Sequence, residues 1–232
     1  MMDFPLTLAA VFRRAESIFP RRAIVTRLPD KSIHRYTYTN FADRARRLAC
    51  ALHRLGIQPG DRVGTLGWNH YQHLEAYFGI PLAGGVLHTL NLRLHADELA
   101  YIVNDADDRA VLVDHALLPL WEQIAPATRV KHTIVMGGPA ATISAPLLDY
   151  EGLLQDAEPL PDHPDPDERT AAAMCYTTGT TGKPKGVLYS HRALVLHSFG
   201  SSLSSCLGIG EHDVVLPVVP MFHANAWGLP YT

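Results

Sequence analysis

Eleven residues from Tyr176 to Gly186 concentrate the groups that could do chemistry. Thr177, Thr178, Thr180 and Thr181 supply hydroxyls, Lys183 and Lys185 supply charge, and Gly179, Gly182 and Gly186 leave gaps between them. Glycine reaches backbone conformations closed to other residues, so a loop this rich in it can turn successive N–H groups into one anion-binding concavity. The threonine hydroxyls add short donors, and lysine acts as a compact point charge against phosphate. The stretch reads as a polyphosphate cradle. A Walker A loop needs Gly, four residues, then Gly-Lys-Ser/Thr. Here Thr177 stands where the first glycine belongs and Pro184 where the hydroxyl residue belongs, so that pattern fails at both ends. An ordinary hairpin turn needs only one or two glycines and no lysine pair.

The elements around the loop must aim it. The apolar run 171–175 before it and the run 187–190 after it predict a strand, a tight polar turn and a second strand. Leu194, Val195, Leu196, Phe199, Leu203 and Leu207 then predict a buried helix over 193–207, opened by Ser190 and His191, with His191 structural rather than catalytic. A strand over 213–219 leads into Pro220-Met221-Phe222-His223-Ala224-Asn225-Ala226-Trp227, which reads as an aromatic pocket rim with polar handles.

Upstream, Leu8, Val11, Phe12, Ala15 and Phe19 recur at helical spacing after a Thr7 cap, and strands over 23–27 and 33–38 flank a Pro29-Asp30-Lys31 turn. Thr39 is the expected cap of a helix burying Phe41, Ala45, Leu48, Leu52 and Leu55 and ending at Gly56. Strands over 62–66, 86–90, 110–114 and 132–136 alternate with helices through 73–78, 97–103 and 117–124. The expectation is an α/β fold of strand-helix units, with mainly parallel sheets covered by helices. His70 and His73 lie three apart on one of these helices, but no further ligand is spaced to complete a metal site, and they read as exposed or core histidines. Gly84 and Gly85 read as a tight helix-to-strand connection.

Between 156 and 169 acids alternate with prolines, a composition that forbids helix and interrupts a strand ladder. This connector divides an N-terminal α/β portion, 1–155, from a phosphate-loop portion, 170–232, though both can pack into one domain. With 232 residues, 47% of them hydrophobic, the chain is large enough for a sizeable core. The net charge of −3 and the scattered basic residues argue against a nucleic-acid partner. Cys50, Cys175 and Cys206 are widely spaced, which fits neither a disulfide framework nor a zinc site and suits a reducing cytoplasm. The apolar N-terminal stretch is broken by Arg13, Arg14 and Glu16, unlike a secretory signal, and no run reaches membrane-spanning length.

The loop from Tyr176 to Gly186 resembles the phosphate-binding signature of the adenylate-forming superfamily, which includes acyl-CoA synthetases, luciferases and the adenylation domains of peptide synthetases. Lys183 fills its variable position. Tyr36-Thr37-Tyr38, the passage from Leu55 through Val63, and Asn91-Leu92-Arg93-Leu94 ahead of Glu98-Leu99 resemble the same superfamily's N-terminal region. The run from Val218 to Trp227 is most similar to medium- and long-chain fatty acyl-CoA synthetases. The resemblance implies that a fatty acid carboxylate attacks the α-phosphorus of Mg-ATP, pyrophosphate leaves, and the coenzyme A thiol then takes the acyl group from the adenylate. It implies that Thr177 helps hold Mg2+ and the phosphates, and that Thr178, Gly179, Thr180, Thr181, Gly182, Lys183, Lys185 and Gly186 cradle the pyrophosphate. His223, Ala224 and Trp227 are expected to border the nucleotide and acyl chain, with His223 and Lys185 as the candidate catalytic residues. Family members continue past the position of Thr232 with an aromatic-Gly-x-Thr-Glu motif, a ribose-binding aspartate, a hinge and a C-terminal domain bearing a catalytic lysine. The 232 residues are therefore expected to be the N-terminal part of such an enzyme and inactive alone. A related synthetase for aromatic or short-chain acids and a non-catalytic nucleotide-binding module remain the alternatives, and a homodimer stays open.

Overall fold

In the computed structural model, which describes residues 3–138, 146–161, 166–177 and 182–232, local caps set where helices begin. The Thr7 hydroxyl accepts from the Ala10 N–H and opens α1 (Leu8–Ile18), whose Leu8 and Phe12 are buried. A hairpin of β1 (Ala23–Arg27) and β2 (Ile33–Thr37) follows as a separate two-stranded sheet. The helix after it, α2 (Tyr38–Arg54), is capped by Thr37 and not by Thr39. Thr37 is still extended, and its hydroxyl and N–H exchange hydrogen bonds with Asn40 in a reciprocal box. The Thr39 hydroxyl donates instead to the Pro20 carbonyl at 3.1 Å.

Five parallel strands form the centre of the molecule: β3 (Arg62–Leu66), β4 (Val86–Thr89), β5 (Asp108–Asp114), β6 (His132–Met136) and β7 (Leu147–Asp149). Their crossovers carry α3 (Tyr71–Leu82), α4 (Ala96–Asp105) and α5 (Leu118–Ile124), and α6 (Tyr150–Gln155) follows β7. Beyond residues 156–169 the same sheet continues through β8 (Ala171–Thr177), parallel to β4, and β9 (Lys185–Ser190), antiparallel to β8. The order is β7-β6-β5-β3-β4-β8-β9, so one sheet runs through both portions of the sequence.

Both faces are covered, which is why the inner strands are apolar on both sides. Against one face α2 and α3 bury Ala45, Leu48, Tyr77 and Ile80. They approach closely at Gly79, where an added Cβ would lie 2.7 Å from a Leu48 methyl. Against the other face α4 and α5 bury Leu99, Val103, Trp121 and Ile124. No helix among the described residues is long and apolar enough to cross a membrane.

Two expectations fail near the end. The helix α7 (His191–Ser202) is shorter than expected and only partly buried, with Leu196, Phe199, Leu203 and Leu207 exposed. Its apolar residues lie around the whole circumference, so packing Leu194 and Val195 inward turns Leu196 and Phe199 outward. Residues 213–219 form no strand. Pro217 and Pro220 cannot donate to a ladder, and the segment docks through Asn69, whose amide donates to the Pro217 and Val219 carbonyls at 2.9 and 3.0 Å.

Candidate functional site

After β4 the chain turns back across β3 to reach β5, whereas after β8 it turns the other way to β9. The connections therefore diverge at the carboxyl ends of adjacent strands, which in open α/β sheets opens a crevice for ligands. A small cleft lies there, lined by Thr89 at the end of β4 and Asn91 just after it, Cys175 and Tyr176 of β8, and Phe222, His223 and Ala224. Leu94 and Ile102 line its apolar side.

The Phe222 to Trp227 stretch is held by unlike contacts. The Tyr77 hydroxyl donates to the Met221 carbonyl, and the Met221 N–H donates to Asn69 Oδ1 at 2.7 Å. Thr89 donates to Asn225 Oδ1 at 2.9 Å, with both residues buried. Asn91 reaches His223 Nδ1 at 3.5 Å, and the His197 ring donates to the Trp227 carbonyl at 2.8 Å. Ala224, Asn225, Ala226 and Trp227 all have positive φ, between 46° and 55°. Four successive non-glycine residues in that region store strain, which persists only where surroundings over-determine it and which clusters at ligand sites. The Asn225 amide Nδ2 is buried without a hydrogen-bond partner.

The expected site residues divide into three groups. His223 and Ala224 line the cleft, beside Tyr176 and hence next in sequence to Thr177. Trp227 lies outside that lining, with 67% of its surface exposed. Lys183 and Lys185 are exposed beyond β8, and Lys183 Nζ lies 4.9 Å from the centre of the Tyr101 ring. Gly186 pairs with Tyr176 across the β8–β9 ladder, and a side chain there would crowd the Tyr176 ring at 3.2 Å. Thr178, Gly179, Thr180 and Thr181 lie outside the described residues.

Thr177, at the end of β8, offers one hydroxyl oxygen, which lies 3.5 Å from the Lys185 carbonyl. Magnesium keeps several waters and takes few protein ligands when phosphates supply the rest. One hydroxyl therefore fits a magnesium ion carried by a nucleotide, and among the described residues no group of three acidic, His or Cys side chains forms a cage of its own.

Strand alternation and the loop signature did not disclose Thr89, Asn91 or Cys175 as cleft residues. The only local signal is that β4 ends in polar residues, and its pairing with β8, Leu87 beside Ala173, has no trace in the nearby sequence. Burial raises the Cys175 thiol pKa, so it lines the cleft as a neutral group. The His70 and His73 pair has structural partners. His70 caps α3 and lies 3.2 Å from Asp114, while the His73 ring sits 3.0 Å from both the Trp68 carbonyl and the Thr65 hydroxyl.

Residues 12–232 match the family described as AMP-binding enzyme. The whole chain aligns at 51% identity with a long-chain-fatty-acid–CoA ligase of Thermus thermophilus, covering 42% of that protein. It aligns at 44% identity with a 3-methylmercaptopropionyl-CoA ligase of Ruegeria pomeroyi, covering 44% of it. Among solved structures, a long-chain-fatty-acid-CoA ligase from Archaeoglobus fulgidus superposes with a TM-score of 0.85 over 99% of this chain and 46% of its own, at 20% identity, a likeness of fold. The chain thus spans under half the length of these relatives and has the fold of their N-terminal portion. With the crevice at the β4 and β8 ends, the loop between β8 and β9, and a family match over nearly its full length, the chain belongs to the AMP-binding enzymes.

Proposed function

We propose that this chain supplies the polyphosphate cradle and part of the acid pocket of an ATP-dependent acid–CoA ligase acting on fatty acids. The observation that carries the reading is spatial: the Thr/Gly/Lys loop springs from β8, whose last residues wall the same cleft as His223 and Ala224. In the first step a carboxylate oxygen bonds to the α-phosphorus of ATP and the α,β-bridging P–O bond breaks, giving an acyl-adenylate and pyrophosphate. In the second, the coenzyme A thiol gives up its proton to solvent, its sulfur bonds to the acyl carbon, and the acyl C–O bond breaks with AMP taking the electron pair. A carboxylate is already ionised near neutral pH, so the first step needs no general base. It needs neutralisation of the departing charge. Lys185 and Lys183 supply that charge, and the Thr177 hydroxyl holds a phosphate or the magnesium ion. Bound magnesium neutralises phosphate charge. His223 and Ala224 border the nucleotide, and Trp227 walls the acyl chain.

The names of the relatives support a thioester-forming ligase, and they span long-chain fatty acids and 3-methylmercaptopropionate. The test is pyrophosphate release by the whole protein over fatty, aromatic and short-chain acids, with and without coenzyme A. The expected result is acid-dependent release with fatty acids preferred and thioester formed only when coenzyme A is present. Absence of acid-dependent release across the panel overturns the proposal. Preference for a short or aromatic acid overturns the fatty-acid assignment alone.

A further inference from the structure

The residues on the two sides of the phosphate loop meet on one turn of α4. Tyr101 and Asp105 are four apart and share a helix face. Asp105 Oδ2 accepts from the Tyr176 hydroxyl at 2.7 Å, and its Oδ1 accepts from the Tyr101 hydroxyl at 3.3 Å. Lys183, beyond the loop, places its ammonium 4.9 Å from the Tyr101 ring centre, within cation–π range. Asp105 is the last residue of α4, where the helix dipole disfavours a negative charge, so two phenolic donors meet a carboxylate that its own helix does not support.

Tyr176 is fixed from other directions as well. Its ring lies 5.2 Å from that of His88, and β9 offers only the hydrogen of Gly186 opposite it. Among the described residues, Lys183 has no such confinement beyond the Tyr101 ring. An exposed cation–π contact shifts a population only a few-fold, and a charge-assisted bond to phosphate is stronger.

We propose that Tyr101 and Asp105 are positioning residues for the phosphate site: Asp105 anchors the Tyr176 side, and the Tyr101 ring holds Lys183 until a polyphosphate takes its ammonium. This rests on reading the loop as a polyphosphate site. It makes Tyr101 a competitor of the ligand for Lys183, whereas a merely structural tyrosine would only weaken binding when removed.

The experiment has two arms, both on the full chain, with the unfolding midpoint of every variant measured. The first is the rate of tryptic cleavage between Lys185 and Gly186, a rate that follows the population of the released form. Lys183 is followed by proline and is not itself a tryptic site. Tyr101→Leu and Lys183→Gln are each expected to raise the rate about threefold, with the double variant no faster than either single. Tyr101→Phe, which keeps the ring, should stay near wild type and serves if Tyr101→Leu folds poorly. Asp105→Ala should also raise the rate, by freeing Tyr176. A wild-type rate in Tyr101→Leu, or additive effects in the double variant, overturns the seat.

The second arm is calorimetric titration with inorganic pyrophosphate. Tyr101→Leu is expected to bind about threefold more tightly than wild type, and the gain should vanish in the Lys183→Gln background. Equal or weaker binding by Tyr101→Leu overturns the exchange alone. No binding by wild type or any variant overturns the loop reading and the exchange with it, while the cleavage arm still decides the seat.

Discussion

His88 Nδ1 lies 2.9 Å from both carboxylate oxygens of Asp108, and neither side chain is exposed. The pair joins β4 to β5 across β3, beneath Tyr176. Burial raises the Asp108 carboxyl above its ordinary range even with the imidazole beside it.

Removing one member leaves the other buried and unpaired. Asp108→Ala is expected to destabilise the fold by about 3 to 5 kcal/mol, while His88→Leu together with Asp108→Leu should cost less than that single change. Denaturant midpoints of the single and double variants decide this; a double variant at least as unstable as Asp108→Ala would count against the pair as the cause.

The cradle reading predicts that Lys185→Ala or Thr177→Ala weakens nucleotide binding by the whole protein without changing its unfolding midpoint. Losing one charge-assisted phosphate contact costs about 1.5 to 3 kcal/mol, roughly a tenfold or greater rise in the dissociation constant for Mg-ATP. Unchanged affinity in both variants would remove these residues from the cradle.

Trp227 carries an exposed indole on a backbone at φ 55°. The proposal that Trp227 walls the acyl chain predicts that it governs chain-length preference, so Trp227→Ala in the whole protein is expected to change the ranking of kcat/KM across acids of increasing length more than it changes ATP affinity. A uniform change over the acid panel argues against that role.

The fully buried His73 has its pKa pushed down to about 4 from 6.5, first by desolvation and then by His70, while Asp114 opposes the shift. The folded state therefore holds His73 neutral, and the unfolded chain binds more protons between those two values. Its contribution to stability is complete above about pH 6.5 and is lost as the pH falls toward 4, amounting to about 3 kcal/mol. His73→Gln, which does not titrate, should flatten the fall in unfolding midpoint over that window. An unaltered pH profile in the variant would place the acid sensitivity elsewhere.

Local patterns in the amino-acid sequence were sufficient for the Thr7 cap of α1, the β1–β2 hairpin, the limits of β6 and the two strands that flank the phosphate loop. Each depends on residues a few positions apart: a hydroxyl three residues from its N–H, side chains alternating along a strand. The loop signature also determined the family, because its glycines, hydroxyls and lysines lie in one uninterrupted run.

Tertiary structure decided the rest. Sheet order depends on hydrogen bonds between distant strands, so nothing near Val86 announces that β4 will lie beside β8 and bring Thr89 and Asn91 to Cys175 and Tyr176. Distant contacts also chose where residues 213–219, barred from a ladder by Pro217 and Pro220, would dock, which is on Asn69, and which side of the all-round apolar α7 would be buried, leaving Leu196 and Phe199 outside. Apolar character records that a side chain gains by burial, but which of several apolar faces is buried depends on the surfaces that other parts of the chain bring to it.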